Sequence, residues 1–275
     1  MFYLKEFPRV QLILLTLGLT LGLAQAGAAM ELQWLGHAAV KITSDSGKVI
    51  LIDPFITKNP KTPEALKDLS KLGTIDLILV THGHGDHVGD VVALAKSTGA
   101  KVGMNADMGH TFGTLGLIPY KQLIRFNKGG PIHPLGDAIT ITMVHAEHSS
   151  DYVYKDPATG NKSVHPGGEP AGYIIELENG FTVYHSGDTD VFTDMGYIRD
   201  YYHPQLALLP IGGHFTMDPR HAAYAVRKFL QPKFVIPIHF QTFKIISGSA
   251  EDFQKELGDM SDRLIIMQPG ETRTF

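Results

Sequence analysis

The chain has 275 residues, 43% of them hydrophobic, with one Trp, no cysteine and a formal net charge of −4. That length and apolar content suit one globular domain with a sizeable core, and the mild acidity argues against a nucleic-acid partner, which needs clustered cations. Without cysteine there is no disulfide framework and no thiolate ligand, so any metal must be held by histidine and carboxylate.

The first 26 residues read as a secretory leader. Lys5 and Arg9 precede an apolar run from Val10 to Leu23, and the triplet Ala24, Gln25, Ala26 offers small residues for cleavage after Ala26. The apolar run is shorter than the roughly 20 residues that span a bilayer, so an uncleaved membrane anchor is the weaker alternative to a periplasmic or secreted protein. Cleavage would remove Lys5, Glu6 and Arg9 and leave residues 27–275 as a single domain with no stable membrane insertion.

Short apolar runs then recur along the chain: KVILID, TIDLILVT, AITITMVH, AGYIIEL, GFTVYHSG, LALLPIGG and FVIPIHF. They are rich in β-branched residues and bounded by turn formers, as strands are. Some alternate, with Ile139, Ile141 and Met143 against Thr140 and Thr142, whereas others are apolar throughout, as strands covered on both faces are. Helical patterns lie in DHVGDVVALAKSTG, which stops at Gly99, in DPRHAAYAVRKFLQP and in SAEDFQKELGDM. The expectation is an α/β chain of about ten strands with helices outside.

The titratable residues sit at the ends of these strands. THGHGDHVGD puts His82, His84, Asp86 and His87 directly after one apolar run, separated only by small glycines; His148, Asp188 and His239 each follow another. Strand ends converge on one rim of a sheet, where α/β folds place their ligand sites. Neutral imidazole and carboxylate suit Zn, Mn or Fe, and seven such groups are enough for two divalent ions if one carboxylate bridges. Within VHAEHSS the residues alone leave His145 and His148 both open as ligands.

The stretch THGHGDHVGD matches the H-x-H-x-D-H signature of the metallo-β-lactamase superfamily. WLGHAAV, AEHSSD, HSGDT, LLPIGGHFTMDPRHAA and VIPIHF resemble its metal-dependent hydrolase branch, which includes the ascorbate-6-phosphate-lactonase-like proteins and the UPF0173-type hydrolases. The resemblance runs over nearly all of residues 30–275. It implies an αββα sandwich: two mixed β-sheets with helices on the outer faces and a dinuclear site at the rim. It also implies His82, His84 and His148 on a first metal and Asp86, His87 and His239 on a second, with Asp188 bridging, and it favours His148 over His145.

Four further positions have candidate roles. His37 either lines the site or satisfies a backbone carbonyl. Asp53 is placed to fix the tautomer of a ligand histidine, against the plainer reading of an Asp-Pro turn. His214 is expected to face the pocket and to stabilise an oxyanion or protonate a leaving group. His221 is a substrate-side candidate, with a solvent-facing helix start as its alternative.

The expected chemistry is hydrolysis of a small-molecule ester, lactone, amide or phosphodiester by a metal-bridging hydroxide, with Asp86 both ligating and holding the nucleophile's proton. Two other classes compete: an exported metal-buffering protein and a metal-dependent oxidoreductase. The full ligand set favours the hydrolase over both. The polar segment Ser149 to Gly172 is a candidate lid or an ordinary surface loop.

Overall fold

The computed structural model describes residues 30–275. The expected leader over residues 1–26 lies outside them, and among the described residues no helix is long and apolar enough to cross a membrane.

The N-terminal half lays down strands β1 (Glu31–Gly36), β2 (Ala39–Thr43), β3 (Val49–Ile52), β4 (Leu77–Leu79), β5 (Lys101–Asn105) and β6 (Leu123–Phe126), with helices α1 (Gly85–Val88), α2 (Val91–Thr98) and α3 (Ala106–Thr114) between them. The second half adds β7 (Pro131–Ile132), β8 (Thr140–His145), β9 (Asp151–Lys155), β10 (Lys162–Pro166), β11 (Ala171–Glu176), β12 (Thr182–His185), α4 (Met195–Tyr202), β13 (Leu206–Pro210), α5 (Pro219–Ala225), β14 (Phe234–Ile238), α6 (Ala250–Leu257) and β15 (Thr272–Thr274). One sheet runs β15-β1-β2-β3-β4-β5-β6 and the other β14-β13-β12-β11-β8-β7. Both are mixed. The first is antiparallel from β15 to β3 and parallel from β3 to β6; the second is parallel across β12, β13 and β14 and antiparallel beyond.

Period-two alternation sorts the apolar runs into layers. Ile50, Ile52, Leu77 and Leu79 face Ile141, Tyr173, Leu206 and Leu208 in a core between the sheets. Their neighbours Leu51, Ile78 and Val80 point the other way, against Leu94, Met108 and Phe112 of α2 and α3. Ala207, Leu209 and Val235 likewise pack against Ile198, Ala222 and Phe253 of the helices on the second sheet. Strands with both faces covered need apolar residues at every position, which is why these runs show no alternation in sequence. The layering is helix, sheet, sheet, helix.

Two elements differ from the sequence expectation. The single helix expected over Asp86–Gly99 is broken into α1 and α2 at Asp90, whose carboxylate accepts from the amides of Ile56 and Thr57 and from the Thr57 hydroxyl instead of continuing the helix. The polar segment Ser149–Gly172 is neither loop nor open lid: β9 and β10 pair as an antiparallel hairpin. The other two expected helices start within their sequence patterns, each at a side-chain cap: Asp218 accepts from the His221 amide before Pro219, and Ser249 accepts from the Asp252 amide.

Candidate metal centre

Both sheets deliver side chains to the same rim. The first sheet supplies His82, His84, Asp86 and His87 from the turn after β4 and the short helix α1; the second supplies His148 after β8, Asp188 after β12 and His239 after β14. Their ligand atoms form three overlapping sets in which all members lie within 4.8 Å of one another: His82, His84 and His148; His82, His87 and Asp188; and His37, Asp86, His87 and His239. The structure thus brings together all seven expected ligands and adds His37. His145 is outside the cluster. Its ring is turned to Glu147, 3.3 Å away, and to the edge of Phe192.

Asp188 occupies the middle. Its Oδ2 lies 3.3 Å from His87 Nε2, 3.1 Å from His239 Nε2, 3.6 Å from His148 Nε2 and 4.0 Å from His82 Nε2. Burial alone would raise its pKa, but His239 and His87 hold it well below the ordinary carboxylate range. Burial would lower His87 and His239 in turn, yet Asp188 together with Asp53 lifts the first well above its ordinary value, and Asp188 and Asp86 lift the second to about 9. The pocket therefore calls for positive charge at its centre.

The outward nitrogens of three histidines are held by the protein. Asp53 is fully buried; its Oδ2 accepts from His87 Nδ1 at 2.8 Å and from the Thr81 hydroxyl at 2.6 Å, while Oδ1 accepts from the Thr81 amide. Because that hydroxyl spends its proton on Asp53, its oxygen accepts from His82 Nδ1 at 3.0 Å. His84 Nε2 lies 3.3 Å from the Asp151 carboxylate. In the neutral rings these contacts put the proton on the outward atom and leave a lone pair on the inward one. His82 Nε2 and His84 Nδ1 then face each other at 2.9 Å with no proton between them. His87 Nε2, His239 Nε2 and Asp188 Oδ1 are buried without a hydrogen-bond partner. Without metal, protons on His87 and His239 supply part of the positive charge the pocket calls for; a divalent cation would replace them and also take the facing lone pairs of His82 and His84, so the donor set fits divalent metal.

His37 does not satisfy a backbone carbonyl with its ring. Its Nε2 donates to Asp86 Oδ2 at 3.0 Å and its Nδ1 accepts from the Thr242 hydroxyl at 2.9 Å. Burial, aided by His239, pushes its pKa down to about 4, which keeps the ring neutral. Asp86 is opposed by burial but held well below its ordinary range by His239 and His37. Thr242 was invisible to sequence reasoning, being 205 residues from His37 with no motif around it.

The structure does not bring His214 or His221 to the cluster. His214 is exposed and turned aside by a left-handed backbone (φ +64°), and its neighbour Phe215 takes the expected place. His221 is exposed in the first turn of α5, where its amide serves the Asp218 cap. A hollow of about 230 Å³ opens above the cluster, lined by His84, Asp86, His148, Asp188, His239 and Phe215. No residue of the β9–β10 hairpin lines it. His185, which had no expected role, is buried beneath: Nε2 donates to the Ala38 carbonyl of the other sheet and Nδ1 accepts from the Gly187 amide, pinning the turn that carries Asp188.

Comparison with known proteins bears on this geometry. Residues 48–240 match a family profile described as the β-lactamase superfamily domain. The chain is 52% identical over 256 residues to a UPF0173 metal-dependent hydrolase of Cupriavidus necator, covering 92% of this chain and 88% of that protein. A second such hydrolase, from Koribacter versatilis, is 43% identical over 88% of this chain and 97% of its own length. Among solved structures, Igni18, a metallo hydrolase of the archaeon Ignicoccus hospitalis, superposes with a TM-score of 0.77 at 36% identity, over 90% of this chain and 98% of that one.

Proposed function

The chain belongs to the β-lactamase superfamily, within the UPF0173 metal-dependent hydrolases, and on that premise we propose that it hydrolyses a small-molecule ester, lactone, amide or phosphodiester with two divalent ions, Zn, Mn or Fe. His82, His84 and His148 would hold one ion, Asp86, His87 and His239 the other, with Asp188 between them. The observation that carries this reading is the position of Asp188 Oδ2, within 4.0 Å of histidines from both sets while its Oδ1 is buried and unpartnered.

When bound, such ions polarise the scissile oxygen and supply hydroxide at neutral pH. The side chains do the rest. Asp53 and Thr81 together fix the tautomers of His87 and His82, and Asp151 fixes that of His84. His37 anchors one oxygen of Asp86 and so orients the carboxylate that accepts the proton of the attacking water. His214, exposed and off the hollow, has no part in this scheme. The leader expected over residues 1–26 supports work outside the cytoplasm.

Proton release by the purified protein on a mixed panel of esters, lactones and phosphodiesters tests the reading. Asp86→Ala should lower turnover by at least about a hundredfold, the scale of a lost general base. A variant with full turnover would remove Asp86 from the mechanism. Metal binding with no turnover on the panel would favour a metal buffer, and consumption of oxygen or thiol a redox enzyme.

A further inference from the structure

Among the described residues, one side chain besides the proposed ligands lines the hollow: Phe215. It is 57% exposed, an apolar ring left in water beside a polar cluster. The loop that presents it is built rather than loose. A Cβ at Gly212 would run into the carbonyl oxygen of His239, the Gly213 amide donates to the Met217 carbonyl, and the Met217 amide donates to the carbonyl of Thr189, next to Asp188. The ring is thus tied to the segments bearing two of the proposed ligands. On the Asp86 side stands a second exposed ring, Phe243, with its centroid 5.7 Å from that of His37.

Charge points the same way. Among the described residues, no lysine or arginine lines the hollow. The carboxylates that line it are those of Asp86 and Asp188, with Asp151 at the outer side of His84, so the side chains offer a free anionic group no cationic partner. Where side chains recognise a phosphate, they ordinarily do so with an arginine or lysine clamp.

Resting on the hydrolase reading above, we propose that the substrate is an uncharged ester or lactone whose alkyl or aryl group lies against Phe215. Hydrolysis adds water across the acyl C–O bond: the acyl carbon gains the hydroxyl, the leaving oxygen gains the proton, and one carboxylic acid and one alcohol result. Phe215 contributes by contact with the apolar group and takes no part in proton transfer.

Steady-state hydrolysis of para-nitrophenyl acetate, para-nitrophenyl hexanoate and bis-(para-nitrophenyl) phosphate by the metal-loaded protein tests this. The expected result is a kcat/KM for the hexanoate about tenfold above that for the acetate, with the phosphodiester slowest. In F215A that hexanoate-to-acetate ratio should collapse through KM, and F215L should keep part of it. A readout without turnover is the fluorescence of F215W, which should shift on addition of methyl hexyl ketone, an uncharged ester isostere, and not on addition of acetone. Preference for the phosphodiester, or an unchanged ratio in F215A, would overturn the substrate class while leaving the hydrolase reading intact. No turnover on any probe would overturn the hydrolase reading and the substrate class with it.

Discussion

Asp53, His37 and His239 share an uncommon backbone, with φ of +46°, +56° and +52°. Non-glycine residues adopt this left-handed region at a cost of about 1–3 kcal/mol each, and they keep it only where surrounding contacts over-determine them. Each has such contacts: Asp53 accepts from Thr81 and His87, the His37 ring is held between Asp86 and Thr242, and the His239 amide donates to the His37 carbonyl. Two other left-handed residues, His203 and Gln231, close helical turns, a routine use of that conformation. The remaining two, His214 and Gln241, bear no proposed ligand, so left-handed backbone is shared by the cluster and by loops beside it. Asp53→Ala removes the partner of His87 Nδ1 and frees the Thr81 hydroxyl, so metal affinity measured by chelator competition should fall about 10–100-fold. Unchanged affinity in a folded variant would make Asp53 a turn residue only.

At the scale of elements, the site was legible because ligands follow strands. His82, Asp188 and His239 stand at or just beyond the ends of β4, β12 and β14, and uniformly apolar runs announced those strands. What the sequence concealed has physical reasons. His214 and Phe215 are adjacent in a loop that repeats no period, and which one turns inward is decided by the φ of +64° at His214. The β9–β10 hairpin was hidden because its strands are largely exposed and polar, without a core face to impose alternation. Helix α3 was hidden by Gly109 and Gly113, poor helix formers inside the element. The glycine of the motif itself has a packing reason: a Cβ at Gly83 would sit 2.6 Å from the carbonyl oxygen of Asp151, where the hairpin begins. Gly83→Ala must push His84 or Asp151 aside, and denaturant unfolding should show a loss of about 1–3 kcal/mol. A loss below about 0.5 kcal/mol would mean that the turn has slack the geometry denies.

Across the whole molecule the proposed ligands divide between the sheets, four from the first and three from the second. Metal there would tie the two halves of the sandwich at their rim, while the shared core ties them below. Beyond the described residues, the leader expected over residues 1–26 makes a separate prediction. N-terminal sequencing of the protein recovered from its producing cell should begin at Gly27; an intact Met1 on membrane-bound protein would favour the anchor.

Two divalent ions, with Asp188 between the two ligand sets, are tested by elemental analysis of the purified protein beside Asp188→Ala. About two equivalents of Zn, Mn or Fe per chain, falling to one or fewer in the folded variant, is the result this geometry predicts. One equivalent or none in metal-replete wild-type protein would contradict it.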